Sequence, residues 1–184
     1  MLRQFATIEM YPTVIYRLAP FLIAAAVFVL DRITKILIKT HLSLYDTISV
    51  IPGCFNIVHT ENPGVAFGLF ADSTSPFRAV ILIGLSAAVL VLITTVLVRL
   101  PKSGEPRNWL LRLALAFILG GAFGNLFDRT VHGTVTDFVE VYADGHYFPA
   151  FNLADTCITI GAGLLILDML RGREKRGQAV KAPQ

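Results

Sequence analysis

Asp137 sits in an alternating run, Thr134-Val-Thr-Asp-Phe-Val-Glu-Val-Tyr142; as a strand this gives it one face with Val135, Val139 and Val141 and turns Glu140 to the other. A carboxylate among valines, on a face that should be buried, needs a partner or a proton. The order of the chain offers Asp155. An Asp144-Gly145 turn signal ends the run, and the chain must return to the same edge to reach Asn152 and Asp155. Two carboxylates sharing one site do not both ionise. The pair holds a proton between them, so one member can activate a water while the other protonates a leaving amine.

Three further polar groups accompany the pair. Asp31 and Lys35 stand four residues apart, one helical turn, among Ile33, Ile36, Leu37 and Ile38. Asn125, Asp128 and Arg129 close an apolar run, and Asn152, Asp155 and Thr159 fall on one stripe of a helix beginning near Asn152. That last group is open to a plainer reading, since Asn152 and Asp155 resemble a capping box; a capping carboxylate at a helix start is also well placed for catalysis. Asn62-Pro-Gly-Val-Ala-Phe-Gly68 is a glycine-containing loop that either lets backbone approach a ligand, at Gly64 for example, or is an ordinary turn. Cys54 and Cys157 read as small apolar packing residues. His41, His59, His132 and His146 fall outside the apolar runs, and no H-E-x-x-H or C-x-x-C occurs, so neither a metal site nor a cofactor is expected.

The elements that must position these groups are read from apolar length. Of 184 residues 54% are hydrophobic and 16% charged, which excludes a disordered chain and points to lipid as the solvent for much of the surface. Ala79 to Val98 has no charge over a length that crosses the hydrocarbon core. Counting the polar faces, four transmembrane helices are predicted over 18–39, 78–98, 109–127 and 152–170, with outer loops 40–77 and 128–151 and a solvated tail 171–184. All belong to one membrane-embedded domain, 1–184. The first stretch also admits a cleaved leader ending near Ala24 to Ala26; against it, the polar stripe of Asp31 and Lys35 continues the helix. Strand-like runs at Phe55–Thr60 and Val135–Tyr142 make the outer loops a small β-rich extracytoplasmic platform. Gly120, Gly121 and Gly124 give the small-residue spacing of close helix packing.

Basic residues set the orientation. Arg3, Arg17, Arg99, Lys102, Arg107, Arg112, Arg171, Arg173, Lys175, Arg176 and Lys181 fall on one side, whereas 41–77 has no Lys or Arg and 128–151 only Arg129. Both termini are expected in the cytoplasm. Bases that fall in short gaps between apolar runs do not form the exposed stripe of a nucleic-acid binder, so no nucleic acid is expected.

Taken together the motifs resemble the lipoprotein signal peptidase (signal peptidase II) family of aspartyl membrane peptidases. Gly121 to Phe138 is similar to the family pattern G-N-x-x-D-R-x-x-x-G-x-V-x-D-F and Phe151-Asn-Leu-Ala-Asp155 to F-N-x-A-D. Leu30-Asp-Arg-Ile-Thr-Lys35 resembles L-D-Q-x-x-K with Arg32 in place of glutamine, and Asn62 to Gly68 resembles N-x-G-x-A-F. The resemblance implies a monomeric four-span enzyme of the bacterial cytoplasmic (inner) membrane, with its active site at the outer face. Its substrates would be diacylglyceryl-modified prolipoproteins, cut N-terminal to the modified cysteine, and its surroundings membrane lipid. It further implies Asp137 and Asp155 as catalytic dyad, with Asn62, Gly64, Asn125, Arg129 and Asn152 holding substrate or orienting the acids and Asp31, Lys35 and Asp128 supporting them. Arg32 leaves the polar contacts of the first span in question.

Two other classes compete. A proton-coupled transporter would spread its acids through the membrane depth, whereas Asp31, Asp128, Asp137 and Asp155 map to one edge and only Asp168 lies elsewhere; no internal repeat supports it. A non-catalytic lipoprotein-binding module shares the pocket, and retained binding with lost cleavage in a dyad mutant separates it from an enzyme.

Overall fold

A computed structural model describes residues 6–64, 77–100 and 109–181. The chain runs α1 (Ala6–His41), β1 (Thr47–Ile51), β2 (Phe55–Asn62), α2 (Phe77–Arg99), α3 (Trp109–Val131), β3 (Val135–Ala143), β4 (His146–Tyr147) and α4 (Leu153–Lys181). Among the described residues three stretches are long and apolar enough to cross a membrane, Val80–Arg99, Trp109–Val131 and Leu153–Arg171. α1 is interrupted by Arg17, Asp31, Arg32, Lys35 and Lys39 and is not one of the three.

Helix α3 is the centre of the bundle, packing on α1, α2 and α4. Glycine makes two of these approaches possible: a Cβ at Gly120 would stand 2.6 Å from the Ala24 carbonyl oxygen of α1, and one at Gly161 of α4 would stand 2.7 Å from the Ala114 carbonyl oxygen of α3. Ala24, inside the stretch a cleaved leader would remove, is buried in this contact. α2 joins through Ile93 and Leu97 against Leu115, and Phe28 of α1 meets Phe123 and Phe127 edge-on. Outward lie Leu22, Leu85, Val91 and Ile166, an apolar exterior suited to lipid.

The strands form one antiparallel sheet in the order β1-β2-β3-β4. The Asp144-Gly145 signal makes the β3–β4 turn, with positive φ at both residues (50° and 77°), the geometry a tight two-residue hairpin requires. β1 was not foreseen; all five of its residues are exposed, so it carries no burial alternation to read. The β3 face predicted to be buried is so at Val135 and Asp137, whereas Val141 is exposed.

Helix boundaries differ from those read off apolar length. α3 continues past 127 to Val131, so Asp128 and Arg129 are helical and not part of an outer loop. Their charges are matched by partners from other elements, which removes the penalty that ended the apolar run. Gly133, at φ 78°, turns the chain away just beyond. α4 likewise continues beyond 170 to Lys181, through charged residues that favour helix as well as solvent.

Candidate active site

The ends of α1, α3 and α4 meet the sheet at a cluster of buried polar side chains. Asp31, Lys35, Asp128, Thr136 and Asn152 are fully enclosed, and Asp137 retains 3% exposure. Every one of them has a partner. Lys35 Nζ donates to Asp31 Oδ2 (2.8 Å) and Asn125 Oδ1 (3.1 Å) and forms an ion pair with Asp128 Oδ2 at 2.7 Å. The Ala154 N–H, in the first turn of α4, donates to Asp31 Oδ1 at 3.1 Å, so α1 also anchors the helix that carries Asp155. Arg32 pairs with Asp128 Oδ1 and lies over the Phe127 ring, 5.0 Å from its centroid. The residue that departs from the family pattern thus joins the same network.

The two carboxylates singled out in the sequence are brought together through asparagines. Asn152 Nδ2 donates to Asp137 Oδ1 (2.7 Å), Asn62 Nδ2 donates to Asp137 Oδ2 (3.0 Å), and Asn125 Nδ2 donates to Asp155 Oδ1 (2.8 Å). Asn152 and Asp155 also form the reciprocal cap: Asp155 N–H donates to Asn152 Oδ1 at 3.0 Å and Asn152 N–H to Asp155 Oδ2 at 3.2 Å. The capping reading of that pair therefore holds. The cap fixes the carboxylate that the cavity exposes.

Asp137, Asp155, Asn62 and Arg129 line one cavity of about 320 Å³, whose remaining wall is largely apolar and includes Phe148, Phe151 and Ile160. Thr159 completes the predicted stripe on its border. Arg129 is held away from the carboxylates, donating from Nη2 to the Gly64 carbonyl (2.9 Å) and from Nη1 to the Asn125 carbonyl (3.3 Å). Gly64 in turn donates its N–H to Asn62 Oδ1 at 2.8 Å. Val65 to Gly68, the rest of that motif, lie outside the described residues.

Burial raises the Asp137 carboxyl from its ordinary 3.8 to about 7, and the charge of Asp155 adds to the rise; the amides of Asn62 and Asn152 and the charge of Lys35 oppose it. Charge balance agrees. Arg32, Lys35 and Arg129 face four carboxylates, Asp31, Asp128, Asp137 and Asp155, so the cluster is neutral when one of the four holds a proton. Among the described residues no group of three His, Cys, Asp or Glu side chains is placed to hold a metal ion. Asp168 lies thirteen residues beyond Asp155 on α4, outside the cluster.

All ten site residues read from the sequence converge here. Arg32 and Glu61 were missed as contributors. Arg32 carried a signal, being a third charge in one apolar helix, whereas Glu61 looked like any acid in a polar loop.

The family profile of signal peptidase (SPase) II matches residues 23–171. Among similar proteins, the lipoprotein signal peptidase of Solibacter usitatus is 44% identical over 153 residues, covering 83% of this chain and 91% of that one. That of Pseudomonas aeruginosa is 46% identical over 158 residues, covering 85% and 90%. A solved bacterial membrane enzyme superposes with a TM-score of 0.73 at 28% identity, covering 90% of this chain and 93% of its own. Apolar helices that end on a pair of carboxylates, with these relatives, define a bacterial membrane enzyme of the aspartic-peptidase class. The chain belongs to the signal peptidase II family.

Proposed function

We propose that the protein removes the signal peptide from bacterial prolipoproteins, cutting N-terminal to a diacylglyceryl-modified cysteine, with Asp137 and Asp155 as the catalytic dyad. The observation that carries this reading is the pair itself: two carboxylates bridged by Asn152, lining one cavity where membrane helices meet the sheet. The shared proton rests on Asp137, the more deeply buried acid. Asp155 takes a proton from the attacking water while Asp137 gives its own to the scissile carbonyl oxygen. Collapse of the tetrahedral intermediate breaks the C–N bond as Asp155 passes its proton to the departing amine. Asp137 recovers a proton from the intermediate's hydroxyl, which restores the starting state.

The supporting residues have distinct tasks. Asn62, Asn125 and Asn152 orient the acids, and Arg129 holds the Gly64 backbone beside the cavity for substrate. Asp31, Lys35 and Asp128 fix Asn125 and the start of α4. All four helices span the membrane, α1 included, because outward-facing Leu22, Ile36 and Leu37 flank its polar stripe while Asp31 and Lys35 face inward. The basic bias puts both termini of this single domain in the cytoplasm and the dyad at the outer face of the inner membrane. We read the enzyme as a monomer, as its resemblance to the family implies. A cleavage assay in detergent with lipidated and unlipidated precursors tests the reading. Only the lipidated one should be cut, and binding of both without cleavage would make the protein a binding module.

A further inference from the structure

Glu61 lies on the face of the paired strands β2 and β3 that turns away from the cavity, yet it gathers more donors than either Asp137 or Asp155. Lys39 of α1 reaches Oε1 at 3.1 Å, Thr136 Oγ1 donates to Oε1 at 3.0 Å and Thr134 Oγ1 to Oε2 at 2.6 Å. Burial pushes the Glu61 carboxyl up, but the hydrogen bonds from Thr134, Lys39 and Thr136 outweigh it and hold it below the ordinary range. The carboxylate, on β2, is therefore a charged tie between α1 and the start of β3.

Its location explains what the tie secures. β2 pairs with β3 at Ile57↔Val139 and again at Thr60↔Asp137, so β2 has one residue more than its partner between these points. Val58 and His59 are both buried there, where plain alternation would bury one. The bulge reverses which residues of β2 face the cavity. Without it Asn62 would point away from Asp137 and Glu61 toward it, because a one-residue slip exchanges the faces of a strand. His59, at the bulge, bonds through Nδ1 to the Leu42 carbonyl oxygen (2.9 Å) and places Nε2 3.5 Å from Glu61 Oε1. The extra residue is thus pinned to the end of α1 through Nδ1.

We propose that Glu61 is a positioning residue of the reaction: clamping the bulged β2–β3 strand pair to the end of α1, it holds the register that aims Asn62 and Asp137 into the cavity. The proposal rests on the reading of Asp137 as a catalytic acid. Charged groups facing Asp137 are Asp155, Lys35 and Arg129, and its hydrogen-bond donors are Asn62 and Asn152; of these, loosening the clamp withdraws the Asn62 amide.

The test uses the full chain in detergent with a lipidated precursor. In Glu61→Gln and Glu61→Ala, kcat should fall on the order of 100-fold, the scale of a misplaced catalytic group, with KM changed less than about threefold. The alkaline limb of the kcat profile should move to higher pH, because an Asp137 without the Asn62 amide ionises less readily. Exchanging the charges, Lys39→Glu with Glu61→Lys, should recover part of the activity lost by Lys39→Glu alone. If Glu61 variants do not fold, Thr134→Val and Thr136→Val should each give a smaller shift of the limb in the same direction. Unchanged kcat, or a loss of kcat with an unmoved limb, overturns the proposal and leaves Glu61 a structural contact. Normal cleavage by Asp137→Asn would refute the catalytic reading instead, whereas an inactive Asp137→Asn beside silent Glu61 variants refutes the clamp alone.

Discussion

Asp137 is costly to bury, and that cost sets both its chemistry and its effect on stability. With a carboxyl raised to about 7, the folded protein keeps a proton that the unfolded chain releases at 3.8. Stability from this group is therefore complete below the ordinary carboxylate range and is lost as pH rises through about 7. Asp137→Asn, which cannot ionise, should abolish cleavage yet raise the detergent Tm relative to the parent at pH 8, with the gain vanishing near pH 4. Equal Tm values at both pH values would show that the carboxyl is not held protonated. Asp155→Asn should also be inactive, and normal turnover by either variant would remove that residue from the mechanism. For the parent enzyme, kcat at saturating substrate should fall on both sides of an optimum, its alkaline limb near 7 set by Asp137. Arg129 lines the same cavity. Replacing it with Gln removes a positive charge that favours ionisation, so the limb should move up; a downward or absent shift would place the guanidinium too far away to act.

Helix packing and the polar cluster meet at Gly124. A Cβ there would stand 2.6 Å from Asp31 Oδ2, the atom that holds Lys35, whereas at Gly163 of α4 nothing lies within 4 Å. Gly124→Ala should destabilise by about 1–3 kcal/mol and lower kcat through Asn125, while Gly163→Ala should be neutral or stabilising by up to about 1 kcal/mol. Thermal melts and turnover of the two variants check this, and equal behaviour would contradict the close approach of α1 and α3. The elements were legible to unequal degrees. The uncharged stretch Ala79 to Val98 of α2 and the Asp-Gly turn carry local signals, and Asp137 stood out because its strand alternates. The end of α3 was misplaced because Asp128 and Arg129 look like a helix exit until partners distant in sequence neutralise them. The bulge in β2 and the Glu61 clamp left no trace, since both depend on register with β3, which the sequence of one strand does not contain.

For the whole molecule, orientation is the least local property, resting on charge bias rather than on any contact. With the exposed Cys54 replaced by serine, cysteines introduced at Asp46 and Asp144 should react with an impermeant thiol reagent in intact cells and one at Lys102 should not; labelling at Lys102 would invert the topology. The centrality of α3 has a consequence for biogenesis. α1 leaves the ribosome with Asp31 and Lys35 able to neutralise one another across a single turn, but the partner of Arg32 is 96 residues away in the chain. At about 5–20 residues per second that wait is roughly 5 to 20 seconds. During it the charged end of α1 gains by lingering at the headgroups, where Arg32 remains hydrated, and it settles to full depth when Asp128 arrives on α3. With α1 read as a span, as proposed above, membrane integration of this enzyme is then a two-stage event, in which the third helix to be made completes the insertion of the first.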